Sequence, residues 1–449
     1  MIHPYIPNAG PAARAAMLAE IGAPSVAEFY GDIPADLRLD RPLELPAPFL
    51  DEHGLVRHLN GLLARNTDTT RVLSFLGHGC YPHHVPAVCD EVNGRGEFLT
   101  AYAGEPYEDH GRFQALFEYV SMMGELLEMD VVNVPVYDGF QAAGTALRMA
   151  ARYTGRRRVL VSGAVAPDKL SMIHDYLAPD LEVVLAPVAD SGEIAEPALD
   201  HTFAALYLET PNVHGVIETR GRELAVLAHG VGALLVVGTD PISLGVLAPP
   251  ASYGADLVCG DIQSLGMHQQ YGGGQAGFIA SRDEERLVAE FPSRLFGIAP
   301  TAVEGEYGFG DVFYDRTSFA LREEGKEWVG TAAALWGITA GVYLALMGPQ
   351  GMREIGETIL ARTRYAMQAL ASAGALVLNQ EALHFREFTI EVPNADALLA
   401  ALRGAGIFGG VRISPWRVLV CVTERHSIAD IDTLAAAVKD ALSVTGGTK

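Results

Sequence analysis

The feature that most constrains the fold is an alternation of short β-branched runs with helical stretches between residues 71 and 285. The helical stretches 168–177 and 222–229 have suitable lengths for crossover connections between strands. The clearest predicted strands are residues 159–161, 204–209, 233–238 and 256–259. This order is typical of a parallel sheet crossed by helices. We therefore predict an α/β chain with a large domain over residues 71–325.

The regions on either side of this sheet have different patterns. Residues 1–70 are predicted to form an arm of short helices punctuated by prolines, and Pro11 suits a helix start. Residues 326–449 are predicted to form connecting helices and a small C-terminal α/β domain. The predicted arm helices are 12–21 and 52–65, the connecting helices 328–347 and 352–373, and the final βαβα elements 385–392, 396–404, 417–423 and 428–442. This layout is that of the aspartate-aminotransferase-like enzymes.

Residues 328–347 also predict a buried surface. They are apolar nearly all round, so a helix built from them must be covered on all sides. We therefore expect the chain to form an extensive apolar interface with a homologous partner.

Charge and composition exclude several classes of protein. The chain has 55 acidic against 32 basic residues, so bulk nucleic-acid binding is not expected, and the run 156–158 is too short for a basic patch. No stretch reaches about 20 unbroken apolar residues, and the N-terminus shows no charged leader, so no membrane span is expected. The four cysteines have no Cys-x-x-Cys spacing, which argues against disulfides and structural zinc and suits the cytoplasm.

A string with three histidines, residues 75–86, invites a metal hypothesis. His83 and His84 are adjacent and point in opposite directions on an extended chain, and no carboxylate or cysteine follows them at a ligand spacing. A structural or hydrogen-bonding role is favoured, and no metal is expected.

A glycine turn at Tyr137-Asp-Gly139 leads into the helical stretch 142–153. Free backbone N–H groups at a helix N-terminus can bind a phosphate. The alternative is an ordinary turn in which Asp138 caps the helix. The sequence leaves both interpretations open.

A second glycine-rich segment, residues 263–277, follows the predicted strand at Val258. In a pyridoxal-phosphate enzyme of this layout the Schiff-base lysine stands here, but this chain has Ser264, and residues 170–325 contain no lysine. Asp240 ends a strand where such folds neutralise the pyridine nitrogen. It is either a remnant of that site or a cap for the turn before Pro241. We expect no covalently bound cofactor.

Taken together, these strings are similar to the alpha subunit, or subunit 1, of the P-protein of the glycine cleavage system, glycine dehydrogenase (decarboxylating). The resemblance runs over nearly the whole chain. It includes residues 77–86, Met129-Asp-Val-Val-Asn133, Gly215-Val-Ile-Glu218, Asp240-Pro-Ile-Ser-Leu244 and Val422-Thr-Glu424.

The resemblance implies the pyridoxal-phosphate-dependent transferase fold type I. It also implies an α2β2 complex whose beta subunit carries the pyridoxal phosphate and whose alpha subunit carries none. Glycine would lose carbon dioxide on beta, and an aminomethyl group would pass to the lipoyl group of the carrier H-protein. Candidate contributions of this chain to a shared interface site are Thr100, Tyr102, Asn133 and Tyr137. The alternative is that these four residues pack the core.

The chain departs from the family pattern at Pro82, Pro135 and residues 322–331. These changes leave two alternatives open. One is a paralogous subunit that serves another amino acid or acceptor in a specialised pathway. The other is a structural or regulatory subunit with no residue in an active site.

Overall fold

A computed structural model describes residues 5–39, 41–99, 110–292, 294–326 and 333–446. The helices are α1 (Pro11–Glu20), α2 (Glu52–Leu63), α3 (Ala87–Asn93), α4 (Gly96–Leu99), α5 (His110–Leu127), α6 (Gly139–Thr154), α7 (Pro167–Leu177), α8 (Gly221–Gly230), α9 (Glu285–Val288), α10 (Ser318–Leu321), α11 (Ala334–Ser372), α12 (Ala395–Gly404) and α13 (Ile428–Gly446). The strands are β1 (Leu73–Ser74), β2 (Val131–Val132), β3 (Arg158–Ser162), β4 (Glu182–Ala186), β5 (Phe203–Glu209), β6 (Leu234–Gly238), β7 (Leu257–Asp261), β8 (Gly277–Ser281), β9 (Phe296–Pro300), β10 (Tyr307–Asp311), β11 (Leu376–Val377), β12 (Glu387–Glu391), β13 (Ile407–Phe408), β14 (Val411–Ser414) and β15 (Arg417–Cys421). Contacts divide the chain into two units, Met1–Thr67 and Asp68–Lys449.

The first unit contains α1, α2 and two short 3-10 turns. Pro11 occupies the first turn of α1, as predicted, because its fixed φ suits a helix start and its missing N–H has no partner to lose. Asp51 caps α2 by accepting a hydrogen bond from the Gly54 N–H at 2.6 Å. Neither helix contains a buried residue.

The second unit is built on a seven-stranded sheet in the order β2-β8-β7-β6-β5-β3-β4. Strands β3 to β7 run parallel, which confirms the predicted parallel sheet. Strands β8 and β2 are antiparallel additions that the sequence pattern did not reveal. We call the sheet and the helices packed on it the large lobe.

Both faces of the large sheet are covered, as a parallel sheet requires. Along β5, Leu206 and Leu208 belong to the core cluster on one face, whereas Ala205 and Tyr207 belong to the cluster on the other. Helix α6 lies in the second cluster and ends at Gly155, whose φ of 69° a glycine adopts without strain.

Helix α11 is a 39-residue element with one break. Gly348, with φ 59° and ψ −179°, interrupts it just before Pro349, so it corresponds to the two predicted connecting helices. Its first half packs on α5 of the same chain. A Cβ on Gly341 would lie 3.3 Å from the Cβ of Tyr119. The described part of the apolar segment 328–347 is thus partly covered within the chain, whereas Leu346 is 57% exposed, and cover by a partner stays a prediction.

A second sheet, in the order β11-β12-β15-β14, is antiparallel throughout and carries α12 and α13. We call it and its helices the small lobe. A capping box opens α13, since Ser427 N–H donates to Asp430 Oδ2 at 2.8 Å and Asp430 N–H donates to Ser427 Oγ at 3.2 Å. No helix among the described residues is long and apolar enough to cross a membrane.

Candidate functional site

A cleft of about 810 Å³, counted to its open mouth, lies at the carboxyl ends of β5, β6 and β7. Ligands of α/β folds commonly bind at this edge of the sheet, because the loops there carry side chains on a rigid support. Charged and polar groups line it, among them Lys169, Glu209, Asp240, Asp261 and Ser264. The sequence predicted the positions of Asp240 and Ser264 but gave no reason to expect the other three.

Asp240 and Ser264 lie together, as their predicted strand ends imply. The Ser264 hydroxyl donates to Asp240 Oδ1 at 3.1 Å. Asp240 also caps the 3-10 turn Pro241–Gly245 by accepting from the Ile242 N–H, so the capping role proposed for it is confirmed. Ser264 places a hydroxyl, and no amine, beside this carboxylate.

Lys169 is the lysine in the wall of the cleft. Its Nζ lies 2.5 Å from Glu209 Oε1, and both side chains are largely buried. Burial opposes the charged form, but the neighbouring carboxylate outweighs it and raises the pKa of Lys169. Pairing with Glu209 thus favours the protonated form of Lys169 and lowers its nucleophilicity, and Ser264 at the strand end offers no amine.

Asp240 has a cationic partner from the small lobe. Arg386, immediately before β12, places Nη2 2.8 Å from Asp240 Oδ2, and its guanidinium lies 3.2 Å from the centre of the Tyr81 ring. Only 3% of the Arg386 side chain is exposed. Asp240 raises the pKa of Arg386 against the opposing effect of burial. The carboxylate that could face a pyridine nitrogen is therefore already neutralised by this chain.

Helix α6 begins at Gly139, within the predicted glycine turn, and two N–H groups of its first turn have side-chain partners. Gly139 N–H donates to Asp261 Oδ2 at 2.9 Å, and Gln141 N–H donates to Asp138 Oδ1 at 2.7 Å. Asp261 also accepts from the N–H groups of Gln263 and Ala276. Burial raises the pKa of Asp261 to about 7, although these three donors oppose the rise. The capping interpretation of Asp138 is confirmed, and a phosphate here would meet two carboxyl groups.

These residues do not fit pyridoxal phosphate. An internal aldimine requires an amine where Ser264 stands, the pyridine nitrogen would have to displace Arg386 from Asp240, and the phosphate would have to displace Asp261 from Gly139 N–H. The residues of this cleft therefore support no catalytic step that uses this cofactor.

Of the four candidate interface residues, the structure describes Asn133 and Tyr137, and neither lines the cleft. Thr100 and Tyr102 lie outside the described residues. Asn133 is fully buried, where its Oδ1 accepts from Ile279 N–H at 2.7 Å. Tyr137 is 54% exposed, and its N–H donates to Gln141 Oε1 at 3.0 Å. The Tyr137 side chain is thus accessible to a neighbouring chain, whereas the Asn133 side chain lies inside the core.

The histidines have hydrogen-bonding roles. His83 Nδ1 lies 2.7 Å from Glu424 Oε2, and its Nε2 lies 2.7 Å from Arg386 Nη1. Because a guanidinium can only donate, we assign neutral His83 with Nε2 as acceptor and Nδ1–H as donor. No group of three His, Cys, Asp or Glu side chains in the described part of the chain could hold a metal ion. Among these contacts, Arg386 had no sequence signal, since it lies near the start of an ordinary strand-like run, residues 385–392.

Comparisons with known proteins agree over nearly the full length. Residues 3–438 match the family model described as glycine cleavage system P-protein. The chain is 34% identical over 447 residues to a probable glycine dehydrogenase (decarboxylating) subunit 1 from Metallosphaera sedula, which covers 98% of this chain and 99% of the relative.

Two solved structures have the same architecture. One is a crystal structure of glycine decarboxylase (P-protein) of the glycine cleavage system in inhibitor-bound form, with a TM-score of 0.87, 33% identity, and coverage of 98% of this chain and 100% of that chain. The other is a sphingosine-1-phosphate lyase from Burkholderia pseudomallei, with a TM-score of 0.64, 16% identity, and coverage of 92% and 95%. These similarities confirm the expected pyridoxal-phosphate-dependent transferase fold type I.

Proposed function

Because the chain belongs to the glycine cleavage system P-protein family, we propose that it is the subunit of glycine dehydrogenase (decarboxylating) that holds no pyridoxal phosphate itself. The main support for assigning the cofactor to another subunit comes from the residues that line the cleft. Ser264 offers no amine, Arg386 neutralises Asp240, and Asp261 takes the N–H at the start of α6. The cofactor then belongs to a beta subunit.

In that subunit the cofactor supplies the electron sink that makes loss of carbon dioxide from glycine possible. This chain would supply structure and placement at the subunit boundary. The finer features of the proposal are an α2β2 assembly in the cytoplasm and transfer of the aminomethyl group to the lipoyl group of an H-protein.

The proposal requires a surface for the partner, and the arm supports one. On α2, Leu55, Leu59 and Leu62 recur at helical spacing and are 40%, 46% and 44% exposed. Apolar side chains that share a helix face and remain exposed mark contact sites for other proteins. We propose that this face of the arm packs on the beta subunit.

A second exposed feature supports the same conclusion. Tyr271 stands fully exposed in the glycine-rich loop before β8, with a φ of 56° that a non-glycine residue rarely adopts. The loop is tied to the cleft rim, where Gln275 Nε2 donates to Gly79 O at 3.1 Å. Strain held in place by such anchoring is often associated with function, and tyrosine is a frequent anchor in interfaces.

The test is reconstitution with the beta subunit. The chain should be co-expressed with the lysine-bearing partner and assayed for exchange of carbon dioxide with the glycine carboxyl group. Borohydride reduction followed by peptide mapping would then locate the cofactor. We expect activity only with both chains and a reduced adduct only on beta.

Two outcomes would contradict the proposal. A reduced adduct on a specific lysine of this chain would place cofactor chemistry here. Full glycine exchange by the beta subunit alone would leave this chain without a role in the activity, and would favour a structural or regulatory subunit.

A further inference from the structure

The cleft contains a side-chain network that joins the two lobes. Asp240 follows β6 of the large lobe, Arg386 precedes β12 of the small lobe, and their ion pair of 2.8 Å crosses the cleft. Arg386 also contacts His83, which in turn contacts Glu424 just after β15. The network therefore runs from the large lobe through one arginine to two places on the small lobe.

Residues 75–86, which we call the strap, join the lobes a second time. The Tyr81 hydroxyl donates to Glu387 Oε2 of β12 at 3.0 Å. On the other side, Tyr81 N–H donates to Gln263 Oε1 at 2.9 Å, and Gln263 belongs to the loop after β7. His78 N–H adds a 2.7 Å hydrogen bond to Glu387 Oε1. The strap thus holds β12 against the carboxyl end of the large sheet.

The groups in this network depend on one another because they are buried. Arg386 and Glu387 are 3% and 4% exposed, and His83 is 5% exposed. A buried charge that loses its partner is strongly unfavourable, because water cannot replace the lost interaction. Removal of Arg386 would leave Asp240 uncompensated and would deprive His83 of its donor.

The lobes are also joined by backbone hydrogen bonds that can act as a hinge. Phe385 N–H donates to Gly215 O, and Ile217 N–H donates to Leu383 O, each at 2.9 Å. A Cβ on Gly215 would lie 1.7 Å from Glu387 O, so only glycine fits there. These are backbone bonds, so no side-chain substitution in the Arg386 network removes them. Without that network, the small lobe could still rotate about this backbone bridge.

We propose that Arg386 is a built-in ligand of Asp240, and that its network is a permanent clamp that holds the two lobes of this subunit in one fixed arrangement. The positions at which an aromatic, phosphorylated ligand would join the lobes are satisfied by the chain itself. Arg386 is a positioning residue, not a catalytic one. The clamp depends only on contacts within this chain, so its test does not depend on which substrate the complex uses.

Distance measurements between the lobes test the clamp in the full-length chain. Nitroxide labels would be attached to cysteines introduced at Val226 on α8 and Ala401 on α12, both exposed, in a Cys80→Ser background, since the other three cysteines are buried. Pulsed electron–electron double resonance would then give the distribution of distances between the two labels. Arg386→Met should broaden the distribution toward longer distances.

A matched control is available in the same cleft. Lys169→Met also removes a buried cation from an ion pair, but Lys169 and Glu209 both belong to the large lobe. It should leave the distance distribution as in the wild type, even if it lowers stability. Arg386→Lys, which keeps the charge, should partly restore the wild-type distribution.

Amide hydrogen exchange provides a second readout. Peptides that cover residues 78–84 should exchange at least about tenfold faster in Arg386→Met than in the wild type, because the strap loses charge-assisted partners. If Arg386→Met does not fold, Asp240→Asn offers a test at the same ion pair with little change in shape. An unchanged distance distribution in the folded variant would overturn the clamp, and so would equal broadening in Lys169→Met.

Discussion

In the cleft, Lys169 is paired with Glu209, Asp240 with Arg386, and Asp261 with three backbone N–H groups. On α2 and at the tip of the glycine-rich loop the situation is reversed, since large apolar side chains face solvent. A site that binds a ligand normally keeps a few polar groups available for it. A surface that binds a protein keeps apolar groups available. This difference is what we expect if, as proposed, the subunit binds its partner through its outer surface.

The largest expected effect concerns the arm. Leu59→Asp combined with Leu62→Asp places two charges on the apolar face of α2, where a partner would have to desolvate them. We expect the affinity for the beta subunit to fall by about 100-fold or more, as for the loss of hot-spot residues. Sedimentation velocity or calorimetric titration of the two chains would measure it.

The control for this double variant is Asn60→Asp, which adds one charge to the same helix away from the apolar face. It should leave the affinity nearly unchanged. Wild-type affinity in the double variant would show that this face of α2 is not the contact surface for the beta subunit. The contrast between the cleft and the arm would then have no functional meaning.

The next effect concerns the stability of the cleft as a function of pH. Burial raises the pKa of Asp261 to about 7 from an ordinary value of 3.8. A raised pKa means that the contribution of this group to stability is fully present below the unfolded value and is lost as the pH rises through about 7. Asp261→Asn has no such titration.

We therefore expect the free energy of unfolding of the wild type to fall relative to that of Asp261→Asn by roughly 2–4 kcal/mol between about pH 4 and about pH 8. Urea unfolding of both chains at each pH would measure the difference. Asp175→Asn, at a side chain of α7 that is 83% exposed, serves as a control for loss of a carboxylate without burial. A constant difference across the pH range would contradict the assignment of Asp261 as a buried, titrating group.

The sequence predicted features that depend on local chemistry. The strand-and-helix alternation gave the parallel core, Asp138 and Gly139 marked the start of α6, and Ser264 stands at the strand end where a lysine was expected. The antiparallel strands β2 and β8 were missed because β2 has two residues and β8 follows a glycine-rich loop. Such strands are specified by their neighbours in the sheet, not by their own pattern.

The contacts that decide the state of the cleft could not be predicted. Arg386 meets Asp240 only because the small lobe folds back over the large sheet, and an arginine before a strand has no local signal for that partner. The apolar segment 328–347 is a second case in which the tertiary partner could not be predicted. Its pattern predicted burial, but the pattern could not say that α5 of the same chain would cover part of the segment from Ala334.

A smaller effect is expected at Tyr137, an exposed residue just before the start of α6. Tyr137→Phe removes one exposed hydroxyl and little volume. If that hydroxyl donates to a charged group in the active site of the complex, turnover should fall by about tenfold. Tyr307→Phe is the matched control, because Tyr307 is also exposed but lies on β10. Full turnover in Tyr137→Phe, with the complex intact, would exclude hydroxyl donation by this residue.

The smallest expected effect is at Ser264, and it tests the cleft most directly. Ser264→Lys restores an amine where the fold would place one, beside Asp240. The new ammonium should pair with that carboxylate, which Arg386 already occupies, while Asp261 still blocks the start of α6. We therefore expect no adduct when the variant is incubated with pyridoxal phosphate and treated with borohydride, with the beta subunit as the positive control. Peptide mapping that finds a reduced adduct at position 264 would show that one missing amine was the whole difference. The cleft would then be a vacant cofactor site, and a ligand would be able to displace its internal ion pairs.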